Sequence, residues 1–117
     1  MVTKCTARTI LHAAILSASV GFVASPAMAQ DAKKGEEVYA AQKCSTCHSI
    51  AGKGKTANPL DGVGAKLSAA DIKQWIVDPK AMTAKSKSTK KPPMPAKYAS
   101  LPPADIDALV AYLSSLK

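Results

Sequence analysis

The spacing of apolar positions divides the chain into one apolar run and several short amphipathic stretches separated by long polar segments. The run extends from Ile10 to Ala24, broken only by small or weakly polar residues and His12. Asp31 to Lys43 predicts a first helix, with Asp31 as N-cap and Gly35, Val38, Tyr39 and Gln42 on one face at i, i+3, i+4 and i+7. A glycine inside a helix costs ~1 kcal/mol against alanine, so Gly35 is expected to admit another backbone at close range. Ser49 to Gly64 is rich in Gly, Lys, Asn and Pro without a period and predicts a loop. Ser68-Ala69-Ala70-Asp71 resembles a capping box opening a second helix through Val77. Asp78-Pro79 ends that helix, because the residue before proline avoids the helical region. Lys80 to Tyr98 predicts a second loop, and a last helix begins near Pro103. Ile106, Leu109, Val110, Leu113 and Leu116 form its apolar stripe, with Asp105 and Asp107 near its positive N-terminal end. No internal repeat and no strand is evident. The pattern predicts an all-α fold of three or more short helices and long loops.

Charge and small residues change the reading of the first segment. Lys4 and Arg8 precede the apolar run, Ser25-Pro26 breaks it, and Ala27-Met28-Ala29 is an A-x-A cleavage site. That order is a secretory signal peptide, residues 1–29. The run falls short of the ~20 residues that span a bilayer, so no membrane anchor is expected after cleavage. The remaining domain, residues 30–117, is expected in the periplasm. The formal charge is +8, which ordinarily suggests nucleic acid, but export argues against that partner. With Phe22 in the leader, the domain keeps only Trp75, Tyr39, Tyr98 and Tyr112 as aromatics. So small a core usually needs a staple such as a disulfide, a metal or a large bound group. Loops longer than ~12–15 residues also point to function, and wrapping a cofactor is one such function.

Cys5 and His12 leave with the leader, so Cys44-Ser45-Thr46-Cys47-His48 contains all remaining cysteine and histidine. Cys-x-x-Cys-His is the attachment pattern of c-type haem. Each sulfur forms a thioether with a haem vinyl group, and the adjacent histidine lies under the iron. A thioredoxin-like site would be expected near a βαβ pattern, which is missing. Zinc would need four ligands, and only two cysteines and one histidine are left. A disulfide between Cys44 and Cys47 would close too short a loop to stabilise much.

Beyond that pentapeptide the domain resembles the class I c-type cytochromes. Gly35 and Tyr39 match the glycine and aromatic of that family's N-terminal helix. Leu109 and Tyr112 match the leucine-x-x-tyrosine pair that crosses over the glycine. Pro59 stands about where the family has a proline after the ligand histidine. Trp75-Ile76-Val77-Asp78-Pro79 reproduces its aromatic-aliphatic-x-Asn/Asp-Pro run, and Met94 follows a Thr-Lys-rich stretch as the second axial methionine does. The resemblance implies a cytochrome c fold wrapped around one haem c, covalent through Cys44 and Cys47, with His48 and Met94 as iron ligands. Met94 is braced by Pro92, Pro93 and Pro95, which lower the entropy lost in holding its sulfur. Met82 and an open sixth site stand as alternatives, and either methionine has gap-filling in the core as its plainer role.

The resemblance also implies that the Pro59 carbonyl accepts a hydrogen bond from the ligand histidine and that Leu60 packs on the haem. Trp75 has three readings: pressing on the methionine side of the haem, reaching a nearby polar group with its indole N–H, or serving as ordinary core. The role of Lys66, where relatives often carry arginine at a propionate, stays open. Lys80, Lys85, Lys87, Lys90 and Lys91 precede Met94, either as a solvated loop or as a basic face steering acidic redox partners. The expected function is one-electron transfer by a periplasmic carrier rather than an enzyme. A haem subunit of a larger oxidoreductase, and a gas sensor or peroxidase with an open sixth site, are the alternatives.

Overall fold

The computed structural model describes residues 26–117, in which α1 (Pro26–Ala41), α2 (Val63–Lys66), α3 (Ala69–Val77), α4 (Pro79–Ser86) and α5 (Pro103–Ser115) follow in order. Turns of 3-10 helix lie at Cys44–Thr46 and Ala96–Ser100. A short antiparallel ribbon pairs β1 (Ser49–Ile50) with β2 (Lys53–Gly54), Ser49 facing Gly54 and Ile50 facing Lys53. The architecture is the expected all-α one. The apolar run and most of the expected leader, residues 1–25, lie outside the described residues. Among the described residues no helix is long and apolar enough to cross a membrane.

The core forms where amphipathic faces meet. Val38 and Tyr39 of α1, Ile72 and Ile76 of α3, and Ile106, Leu109 and Leu113 of α5 make one buried cluster. The crossing of α1 over α5 depends on Gly35. A β-carbon there would run into the Ala108 carbonyl oxygen and lie 2.5 Å from Tyr112 Cβ, so only glycine allows the approach. One turn later Tyr39 and Tyr112 meet edge to face, centroids 5.9 Å apart at 65°, an arrangement favoured by the ring quadrupole.

Three expectations are corrected. Helix α1 begins at Pro26, so Asp31 lies inside it rather than capping it. Pro26 suits a first turn, and Ala27, Met28, Ala29 and Gln30 are strong helix formers. The predicted loop from Ser49 to Gly64 contains the ribbon and the start of α2. Ala51 and Gly52 between its strands both have positive φ, 50° and 76°, as a two-residue hairpin turn requires. The Ala51 N–H donates to Asp61 Oδ1 at 2.8 Å, which helps hold that strained residue.

Lys80 to Ser86, expected as loop, belongs to α4. Asp78-Pro79 does end α3, yet it also opens α4. Asp78 Oδ1 accepts the Ala81 N–H at 3.0 Å, and Pro79 occupies the first turn. Helix α4 closes with Ser88 N–H donating to Thr83 O at 3.0 Å and Lys87 N–H to Ala84 O at 3.3 Å, Lys87 being left-handed at φ 51°. Met82 is thereby buried inside α4, 7 % exposed.

Candidate functional site

The end of α1 sets the geometry of the cysteine motif. Lys43 adopts a left-handed conformation, φ 54°, and turns the chain out of the helix. The next residues coil into the 3-10 turn, with Cys47 N–H and His48 N–H both donating to Cys44 O at 3.1 and 3.0 Å. Thr46 Oγ1 donates to Lys43 O at 2.8 Å and braces the turn. The ribbon packs closely behind. Lys55 N–H donates to Ser45 O at 3.0 Å and to His48 O at 3.1 Å. Gly54 has φ 105°, and a β-carbon there would strike the His48 carbonyl.

This folding brings Cys44, Cys47 and His48 to the wall of a cavity of about 350 Å³, which Met94 also lines. The volume lies within the roughly 300–1,000 Å³ of small-molecule sites. Leu60 and Trp75 belong to the same wall. Trp75 is half-buried and does not join the core cluster, so it faces the cavity rather than serving as ordinary core. Met82 is not part of the wall, nor is Lys66, whose Nζ donates to the Asp61 carbonyl at 3.4 Å.

His48 is oriented by its neighbour across the turn. Its Nδ1 lies 3.1 Å from the Asn58 carbonyl oxygen. A carbonyl can only accept, so Nδ1 carries the proton and Nε2 keeps its lone pair. The expected partner was the carbonyl of Pro59, and the structure moves the contact back one residue. Leu60 N–H donates to Ser49 O at 2.8 Å and Ser49 N–H to Asn58 O at 3.4 Å, a parallel bridge centred on Pro59. In extended chain successive carbonyls face opposite sides, so with Asn58 O turned toward Ser49 and His48 that of Pro59 is turned away. Pro59 itself is exposed and outside the wall. Asn58 adds a second tie, Nδ2 donating to Cys47 O at 3.3 Å. The Asn-Pro dipeptide was the available signal, since proline holds the preceding residue extended.

The chemistry of the wall follows from its burial. Burial, the largest influence, raises the Cys44 pKa and holds the side chain as a thiol, although a backbone hydrogen bond and the Lys97 charge act against it. No disulfide joins Cys44 to Cys47. Tyr39 lines the cavity with a buried hydroxyl that has no hydrogen-bond partner among the described residues. Tyr98, which sequence reasoning missed, also lines it. Among the described residues no group of three or more His, Cys, Asp and Glu side chains could hold a bare metal ion. Two thiols, one imidazole with a free nitrogen and one thioether around an apolar space instead fit a flat apolar macrocycle carrying its own iron. The two thiols and the adjacent imidazole are the groups that c-type haem attachment uses.

A family model described as Cytochrome c matches residues 32–117. Comparison with curated proteins and with solved structures finds no match.

Proposed function

Because the chain belongs to the cytochrome c family, whose members carry covalent haem c and transfer electrons, we propose that it is a periplasmic one-electron carrier with a single His/Met-ligated haem. The observation that carries this reading is the cavity wall shared by Cys44, Cys47, His48 and Met94. The chain holds one Cys-x-x-Cys-His motif, hence one haem. Haem c supplies an iron that alternates between ferrous and ferric, and a His/Met pair raises its reduction potential.

The residues divide the work. Cys44 and Cys47 anchor the group through thioethers. His48 offers Nε2, its ring held by the Asn58 carbonyl. Met94 offers its thioether from a segment stiffened by Pro92, Pro93 and Pro95. Leu60, Trp75 and Tyr98 exclude water. The burial of Met82 inside α4, away from the wall, supports Met94 as the sixth ligand. A haem held by both His48 and Met94 would offer substrates no open coordination site, which supports a carrier rather than a catalyst. Periplasmic location rests on the leader at residues 1–29 and predicts a mature chain starting at Gln30. Acidic redox proteins are the expected partners, drawn to the lysines around Met94.

The experiment is ligand replacement in the purified holoprotein. Ferric haem with a sulfur ligand shows a weak far-red sulfur-to-iron band. Met94→Ala should abolish it and open the ferrous protein to carbon monoxide, while Met82→Ala should leave both unchanged. Acid–acetone should fail to extract haem from wild type and should extract it from the Cys44→Ala, Cys47→Ala double variant. A band that survives Met94→Ala and disappears with Met82→Ala would overturn the ligand assignment.

A further inference from the structure

Met94 sits in a segment, residues 89–95, with no regular structure. Prolines stiffen that segment internally but cannot attach it to the rest of the molecule. Among the described residues one side-chain hydrogen bond carries it across to a distant stretch of chain. Lys90 Nζ donates to the Ala57 carbonyl oxygen at 3.2 Å, joining residues 33 apart in sequence. Lys90 also lines the cavity. Its backbone N–H reaches only Ser88 Oγ, at 3.4 Å, within its own stretch of chain.

The far end of this bond is not arbitrary. Ala57 directly precedes Asn58, whose carbonyl holds His48 Nδ1 and whose amide is tied to Cys47 O. The Lys55 N–H on the other side is bonded to Ser45 O and His48 O. The acceptor therefore belongs to a stretch fixed on both sides to the cysteine motif. The chain of connections runs from Met94 to Lys90, across to Ala57, and through Asn58 to His48.

We propose that Lys90 is a positioning residue, a strap across the cavity that holds the Met94 segment against the segment orienting His48. This rests on Met94 being the sixth ligand, as proposed above. An ammonium suits the task because it is long, and a charged donor strengthens a bond to a carbonyl. Its role differs from that of Lys91, which neighbours it in sequence but does not line the cavity and has no hydrogen bond to the 51–60 segment.

The test is the rate at which imidazole replaces the native sixth ligand in the ferric holoprotein, followed by loss of the far-red band. That rate reports how often the Met94 segment lifts away. Lys90→Ala should raise it about two- to fivefold, as the bond is exposed, while Lys90→Arg, which keeps a long charged donor, should stay near wild type. Lys91→Ala removes the same charge next door and should also stay near wild type. The urea midpoint separates local release from general destabilisation and should move little in all three. Equal imidazole rates in Lys90→Ala and wild type would overturn the strap, as would equal acceleration in Lys91→Ala. Failure of the ligand assignment is distinguishable, because Met94→Ala would then retain the band whatever Lys90 does.

Discussion

Tyr39 carries its hydroxyl into the interior with no hydrogen-bond partner among the described residues, and the side chain is 9 % exposed. Burial above all, then the neighbouring Cys44, Tyr112 and Asp61, pushes its pKa from 10.0 up to about 12. In the unfolded chain the phenol ionises near ~10. Between about pH 10 and 12 the unfolded state has therefore lost a proton that the folded state keeps, and stability falls as pH rises through that window. Below it the contribution is fully present. Tyr98 and Tyr112, both raised chiefly by burial, act in the same direction. Tyr39→Phe removes the largest of these shifts, so its urea midpoint should decline less steeply over that interval than wild type. Parallel curves for the two proteins would show that this phenol ionises equally in both states.

At the scale of elements, the crossing of α1 and α5 decides the packing of the core, and Gly35 decides the crossing. Alanine at this position would gain ~1 kcal/mol in helix propensity, but its β-carbon would meet the Ala108 carbonyl and Tyr112 Cβ. Backbone cannot yield as a side-chain tip can. Overpacking of this kind costs about 1–3 kcal/mol, so the clash outweighs the propensity. Gly35→Ala should lower the thermal midpoint, by about 4–8 °C for each kcal/mol in a domain of this size. A rise would mean that the helices cross at a greater distance. Helix α4 carries a different lesson. Its formation turns the expected long loop into a helix and a short irregular segment that carries Met94.

For the whole molecule the relevant quantity is the arrangement of charge. Lys34 pairs with Asp105 at 2.9 Å, Lys73 with Asp107 at 2.8 Å and Lys85 with Asp71 at 3.1 Å. The hydrogen bonds from Lys85 and Ser68 hold the Asp71 carboxyl below its usual range. Lys85 is thus partly neutralised, and Lys90 is engaged with Ala57. Lys80, Lys87, Lys91 and Lys97 remain exposed around the Met94 side without a carboxylate partner among the described residues. If acidic partners dock there, replacing these four by glutamine should slow association with the physiological partner at low salt. The visible spectrum and the unfolding midpoint should hardly change, since exposed charges contribute little to stability. The wild-type rate should fall with salt as the screening length shrinks from ~10 Å at 0.1 M to ~3 Å at 1 M. An unaltered low-salt rate in the fourfold variant would leave these lysines as solvated surface.

What the sequence by itself determined is what neighbouring residues settle among themselves. The Cys44 to His48 spacing, the Ser68 cap of α3 and the apolar stripe of α5 are legible because each lies within a turn or a few turns of chain. The glycine of α1 was legible for the same reason, since its cost in a helix implied a close neighbour, although only α5 shows which one. Helix α4 was missed, because Asp78-Pro79 was read only as a stop although the same dipeptide also opens a helix, and nothing local chooses between the two. The tertiary structure alone decided the rest. Whether Asn58 or Pro59 turns its carbonyl to His48 depends on how that segment pairs with Ser49. Whether Met82 or Met94 lines the cavity depends on α4 burying the first. The bond from Lys90 to Ala57 joins residues 33 apart, and the solitary Tyr39 hydroxyl is defined by everything packed around it. Each of these is a property of chain segments brought together by burial, and no pattern confined to one segment encodes it.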